Sequence, residues 1–260
     1  VIHGMKIKYL AVSTGASSAC VRQSEGGHSV MLVFELPLKI CFLTPLPSAC
    51  VSERIGQFIS GALHTSEDDS FFCENVRFRS YTFDQPYPLE SEHIYREGKI
   101  YTVRIRTISQ KLAEFFVRQL PLYADGCLQV LDGELKVIPR YLLERVHTLT
   151  PVVVKTRQGY WRNQMQVDEF EERLKANLIR KYNFFQHKKL EGGFCLFRRM
   201  EFMNRKPVRV PQKNISLLGD KISLTAAQNE TAQELLYMAL GTGVGENNAE
   251  GCGFLGYRFR

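Results

Sequence analysis

Between residues 32 and 138 the spacing of apolar residues changes in an order that few folds accommodate. Residues 32–43 (LVFELPLKICFL) are apolar nearly throughout, the pattern of a strand buried on both faces. Pro37 cannot donate to a ladder and argues against a fully central position for that strand. Thr44-Pro45-Leu46-Pro47-Ser48 ends it. From Ser48 to His64, Val51, Ile55, Phe58, Ile59, Ala62 and Leu63 recur at helical spacing and form one apolar stripe. Alternation over 76–83 (VRFRSYTF) and 100–107 (IYTVRIRT) predicts two strands that each bury one face. Ser109 caps a second helix with the stripe Leu112, Phe115, Phe116 and Leu120. Leu128–Leu131 and Glu134–Ile138, joined by Asp132-Gly133, carry a hairpin signal. The order β-α-β-β-α-β is ferredoxin-like.

A second cycle follows. Val146–Lys155 predicts a strand, and Gln158-Gly159 a turn into Tyr160-Trp161-Arg162. Asp168 with Glu171 three residues on predicts a capped helix whose stripe is Val167, Phe170, Leu174, Leu178 and Tyr182. Less regular strands fall within 194–224, a helix within 229–240, and a last strand from Cys252 onward. The expected fold class is α+β: two tandem ferredoxin-like (RRM-like) βαββαβ domains with a C-terminal glycine-rich loop. The expected division is a flexible lead-in over 1–30, rich in Ser and Gly, a first domain over 31–124 and a second over 125–260.

Charge is concentrated rather than spread. Residues 155–213 hold fifteen Lys/Arg against six Asp/Glu, an excess of nine in a chain whose net charge is +7. Such a segment suits a phosphate backbone or another anionic surface. No uninterrupted apolar run approaches 18 residues, so no membrane partner is expected. The stretch Tyr9–Val12 after Lys6 and Lys8 is too short for the apolar region of a signal peptide. Seven cysteines without a Cys-x-x-Cys argue against a zinc ribbon, a redox dithiol and a disulfide framework, and fit reduced thiols in a cytoplasmic protein. His, Asp and Glu do not cluster at metal-ligand spacing, so neither metal nor cofactor is expected.

Residues 241–256 (GTGVGENNAEGCGFLG) contain six glycines in sixteen positions, between a helix pattern and a strand pattern. Glycine permits positive φ and close backbone approach, and successive N–H groups then become available to phosphate oxygens. There is no Gly-Lys-Ser/Thr, so this is not a Walker loop. The order helix, loop, strand is the reverse of a dinucleotide-binding turn.

Gly243-Val-Gly245-Glu-Asn247-Asn-Ala-Glu-Gly251-Cys-Gly253-Phe-Leu resembles the glycine-rich loop of the RAMP (repeat-associated mysterious protein) superfamily, with Cys252 where an aromatic is usual. Thr150–Lys155, Phe170–Tyr182 and Arg79–Phe83 agree with that family more weakly. Within it the chain is similar to the CRISPR-associated endoribonucleases that process precursor CRISPR RNA. The resemblance covers about 32–260. It implies metal-independent cleavage within each repeat: the ribose 2′-hydroxyl attacks the adjacent phosphate, the 5′-oxygen leaves, and a 2′,3′-cyclic phosphate results. The implied partner is CRISPR repeat RNA, precursor and mature. The alternative is a non-catalytic RNA-binding subunit of an interference complex.

That chemistry needs a proton carrier and cationic or N–H groups for the extra charge on phosphorus. Of His3, His28, His64, His93, His147 and His187, His64 ends the first helix on a polar, small side shared with Gln57, Ser60 and Gly61. The resemblance places a catalytic histidine on or just after this helix, so His64 is the leading candidate, with His28 and His147 behind it. The tyrosine and lysine that some members add have no clear match. Ser60, one turn before His64, and Arg77, Arg79 or Tyr81 on the next strand are candidates to assist. RNA-binding candidates are Lys155, Arg157 and Arg162 around Tyr160 and Trp161, which are suited to base stacking. Arg180, Lys181, Arg198 and Arg199 join them, together with Gly243, Gly245, Asn247, Gly251 and Gly253. Lys188, Lys189, Arg205, Lys206, Arg209 and Lys213 add to the same basic segment.

Overall fold

Two antiparallel sheets, each with two helices, account for the core. In a computed structural model of the chain the described residues are 30–66, 78–212 and 215–260. The lead-in, His3, His28, Arg77, Lys213 and the acidic run Glu67–Asp69 lie outside them. The elements run β1 (Val33–Phe42), β2 (Leu46–Pro47), α1 (Val51–His64), β3 (Tyr81–Phe83), β4 (Ile94–Tyr95), β5 (Ile100–Thr107), α2 (Gln110–Gln119), β6 (Leu128–Gly133) and β7 (Lys136–Ile138). After these come β8 (Leu143–Thr148), α3 (Val167–Gln186), β9 (Phe197–Phe202), β10 (Val208–Gln212), β11 (Ile215–Gly219), β12 (Ile222–Ala226), α4 (Glu230–Thr242) and β13 (Leu255–Phe259).

The first sheet has the order β3-β5-β1-β6, with β7 also on β1, which is the ferredoxin-like arrangement. The α1 stripe is buried as its spacing predicts, and Ser109 Oγ accepts from Leu112 N at 3.3 Å to cap α2. The second sheet has the order β13-β8-β12-β9, the same topology, with the β10–β11 hairpin inserted between its second and third strands. Among the described residues, no helix is long and apolar enough to cross a membrane.

Several expectations change. Leu128–Ile138 is not a hairpin. Gly133 lies opposite Leu38 and Ile138 opposite Val33, so β6 and β7 form one interrupted strand along β1. A Cβ at Gly133 would collide with the Leu38 side chain, so the glycine serves close approach rather than a reversal. β1 is central after all. Pro37 lies between Leu38 and Glu35, beside the break in that ladder, where irregular pairing tolerates a proline. Because β6 and β7 complete the first sheet, that unit extends past the expected boundary at 124/125 to Ile138. The strand expected over 146–155 is β8 and ends at Thr148. Asp168 does not cap α3: Gln166 occupies the cap without a side-chain bond, and Asp168 stands in the first turn. Val167 is exposed, while the other stripe residues of α3 are buried.

Helix α4 is buried at Ala232 and continuously from Leu235 to Thr242. It is apolar on more than one side because it packs on both sheets. Tyr237 Oη donates to Ile138 O at 2.6 Å and accepts from Val33 N at 3.2 Å. A Cβ at Gly241 would press on Ile108 and Val33. This wedge brings the loop after α4 against the first unit.

Candidate functional site

The glycine loop folds into a braced turn. Asn248 Nδ2 donates to Val244 O and Cys252 O at 3.0 Å each, closing the loop on itself. The segment after β8 braces it from outside: Gly253 N donates to Pro151 O, Glu246 N to Val153 O, and Phe254 N to Thr150 Oγ1. Two glycines are required by geometry. Gly253 has φ 66°, and a Cβ there would strike Val244 O; Gly251 has φ 83°, and a Cβ would press on the Phe83 ring. Gly243 and Gly245 also adopt positive φ, as does Asn247, whose Nδ2 donates to Gln212 Oε1 at 2.5 Å.

Much of the expected N–H array is spent inside the fold. The N–H groups of Gly243, Val244, Glu246 and Glu250 to Gly253 all donate to protein carbonyls. Among the described residues, those of Gly245, Asn247, Asn248 and Ala249 have no protein acceptor.

Lys181 is not a surface cation. It is buried on α3, and its Nζ donates to Asn248 Oδ1 at 2.6 Å, Gly243 O at 2.8 Å and Thr242 O at 3.3 Å. Burial pulls its ammonium down to about 7, against the opposing pull of Glu246. Phe254 anchors the far end of the loop. The guanidinium carbons of Arg106 and Arg104 lie 4.4 and 5.3 Å from its ring centroid. Arg106 is almost fully buried and joins the two units through Glu35 (2.6 Å) and Leu255 O (2.5 Å).

A short 3-10 turn (Asn248–Glu250) within the loop packs against α1 and β3. The result is a cavity of about 400 Å³ whose walls include Gln57, Ser60, Gly61 and His64 from α1, Arg79 and Tyr81 from around β3, and Ala249 and Glu250 from the loop. His64 is exposed, and its Nδ1 lies 2.6 Å from Ser60 O. A carbonyl only accepts, so Nδ1 carries the proton and Nε2 the lone pair of the neutral ring. The Ser60 partner is therefore the backbone and not the expected hydroxyl. Tyr81 buries its ring against Phe116, and burial pushes its hydroxyl up to about 12; Arg79 lowers it and Glu250 raises it more weakly.

A second cavity of about 540 Å³ shares Arg79, Ala249 and Glu250 with the first and adds Lys155, Asn177 and Arg180. A third, of about 390 Å³, continues past Arg180 to Arg173. Together they form a groove from a cationic end to the imidazole.

Other candidates fall elsewhere. Trp161 does not offer a stacking face: it is buried, stacks on Phe170 at 4.0 Å and donates Nε1–H to Asp220 at 2.7 Å. Tyr160 and Arg162 are engaged by the same carboxylate at 2.6 and 3.3 Å. The apolar–basic spacing of Tyr160-Trp161-Arg162 does not distinguish a core anchor from a base platform; a buried Asp220, between β11 and β12, decides it. Arg198 and Arg199 lie on the edge strand β9, outside these cavities, with Arg199 paired to Glu201 at 2.8 Å. Arg157 is exposed on the Thr156–Gly159 turn, also outside them. Asn248 and Phe254 were missed by sequence reasoning, although both lie within the glycine run.

The described chain is thus built of tandem ferredoxin-like units, the second carrying this braced glycine loop. Residues 139–257 match the family model described as CRISPR associated protein Cas6, C-terminal. Among solved structures the chain is similar to a "CRISPR associated protein Cas6", at 18% identity and TM-score 0.66 over 87% of this chain and 99% of that one. It is similar to "An RAMP protein binding different RNA substrates", at 17% and 0.64 over 86% and 99%. It is also similar to the product of a Cas6-related gene from Pyrococcus furiosus, at 15% and 0.61 over 87% and 98%. These likenesses show a shared fold. No curated protein matches the chain.

Proposed function

We propose that the chain is an endoribonuclease that cuts precursor CRISPR RNA within its repeats, without a metal ion, and releases mature CRISPR RNA. One observation carries this reading: His64 and the glycine loop share the walls of a cleft that runs into the groove of Arg79, Lys155, Arg180 and Arg173. An RNA backbone held along the cations reaches the imidazole at one end. In the reaction the 2′-oxygen bonds to phosphorus, the bond from phosphorus to the 5′-oxygen breaks, and the 2′-hydroxyl proton is replaced on the leaving oxygen. A neutral imidazole with its lone pair on Nε2 suits the first transfer, and its protonated form the second. That one of the similar folds is described as binding different RNA substrates supports RNA as the ligand. The free thiols of Cys41, Cys50, Cys127, Cys195 and Cys252 fit a reducing compartment, and we place the protein in the cytoplasm.

A second reading, a non-catalytic RAMP subunit that holds RNA in an interference complex, is favoured by the burial of Tyr81, the tyrosine expected to assist. Incubating the chain with labelled repeat RNA in EDTA separates the two. Cutting to a 2′,3′-cyclic phosphate, blocked by a single 2′-deoxy substitution before the scissile bond, is the expected result. Binding without cutting supports the second reading, and absence of both rejects the two together.

A further inference from the structure

Arg79 is the one Lys or Arg, among the described residues, on the walls of the cavity that holds His64. It also lines the neighbouring cavity with Lys155 and Arg180, so it stands where the basic groove opens onto the imidazole. Other described arginines around β3 and β5 are committed. Arg104 pairs with Asp84 at 2.5 Å, and Arg106 with Glu35 at 2.6 Å. Among the described residues Arg79 makes no ion pair and no side-chain hydrogen bond, although the Glu53 and Glu250 carboxylates line the same cavity. Glu53 accepts from Gln57 at 3.1 Å, which holds it along α1. A partly buried guanidinium that none of the described residues pairs, beside two carboxylates, is a cation available to a ligand. Its field reaches the site, since Arg79 lowers the Tyr81 hydroxyl while Glu250 raises it.

We propose that Arg79 holds the scissile phosphate and neutralises the charge that develops on it; this rests on the nuclease reading above. As the 2′-oxygen adds to phosphorus and before the 5′-oxygen departs, the phosphoryl oxygens carry one further negative charge. A planar guanidinium meets two such oxygens at once. The position also answers a problem of the cleft, because Glu53 and Glu250 would repel a phosphodiester unless a cation stood between them and it. Neither charge is required to move a proton. Arg79 acts on the phosphate while His64 acts on the oxygens that exchange the proton.

The test is single-turnover cleavage of repeat RNA at saturating enzyme, with affinity measured on the 2′-deoxy substrate. Arg79→Ala is expected to slow cutting at saturating enzyme about 100-fold, in the range for loss of one transition-state donor, beyond the affinity that one lost phosphate contact costs. Arg79→Lys is expected to keep more of the rate, and added guanidinium ion to restore part of it to the alanine variant alone. Unchanged cutting by Arg79→Ala, or a loss that vanishes once binding is saturated, overturns the proposal while leaving the nuclease reading intact. No cutting by the wild-type chain overturns that reading and this proposal with it.

Discussion

His64 is oriented by its bond to Ser60 O, and that bond sets which ring nitrogen carries the proton of the neutral ring. Its place at the end of α1 was legible, because an apolar stripe at helical spacing also defines the opposite polar side. What that side faces was not legible, since the 3-10 turn arrives from 184 residues further along, at Asn248. The chemistry divides the cleft residues. His64→Ala is expected to slow cutting by about 100- to 10,000-fold, the usual contribution of a positioned acid or base, with affinity within a few-fold. Tyr81→Phe is expected to stay within about threefold of wild type, because a buried hydroxyl at about 12 takes little part in proton transfer at neutral pH. Single-turnover rates on one substrate check both. A large loss at Tyr81 with an unchanged His64→Ala would reverse the assignment.

Elements were easier to read than their pairing. The helices and the two cycles follow from local periodicity, and Ser109 caps as expected. The false hairpin at Asp132-Gly133 shows the limit: the dipeptide that favours a tight turn also permits the close approach to Leu38 in a strand that runs on along β1 after a break. Lys181 shows the same limit in a helix, where a basic residue in a basic run proves to be the pin between α3 and the glycine loop. That pin has a pH signature. In the unfolded chain its ammonium titrates in the ordinary lysine range, whereas burial holds it at about 7 in the folded chain. Between those values the unfolded chain binds more protons, so this residue makes stability rise with pH above about 7. Urea midpoints of wild type and Lys181→Met at pH 6, 7.5 and 9 are expected to diverge in wild type's favour as pH increases. Parallel pH profiles would show that Lys181 does not titrate there. Lys181→Met also leaves the Asn248 and Gly243 oxygens without their donor, so its midpoint is expected to be lower at every pH.

At the scale of the whole molecule, among the described residues, part of the charge excess over 155–213 is spent inside the fold. Arg162 is spent on Asp220, Lys181 on the loop and Arg199 on Glu201. Lys155, Arg173 and Arg180 line the groove, joined by Arg79 from the other unit. Each contact between such a cation and a phosphate releases condensed counterions, so the logarithm of affinity falls linearly with the logarithm of salt. On single-stranded RNA each phosphate contributes a slope of about −0.7. The double variant Lys155→Ala/Arg180→Ala is therefore expected to flatten the salt slope by about 1.4. Arg198→Ala/Arg199→Ala, on the edge strand β9 outside the groove, is expected to change it by much less. Binding of 2′-deoxy-blocked repeat RNA, titrated from low to moderate salt, gives both slopes. If the β9 pair carries the larger share, the RNA runs across the sheet edge and the groove beside the glycine loop is not its path.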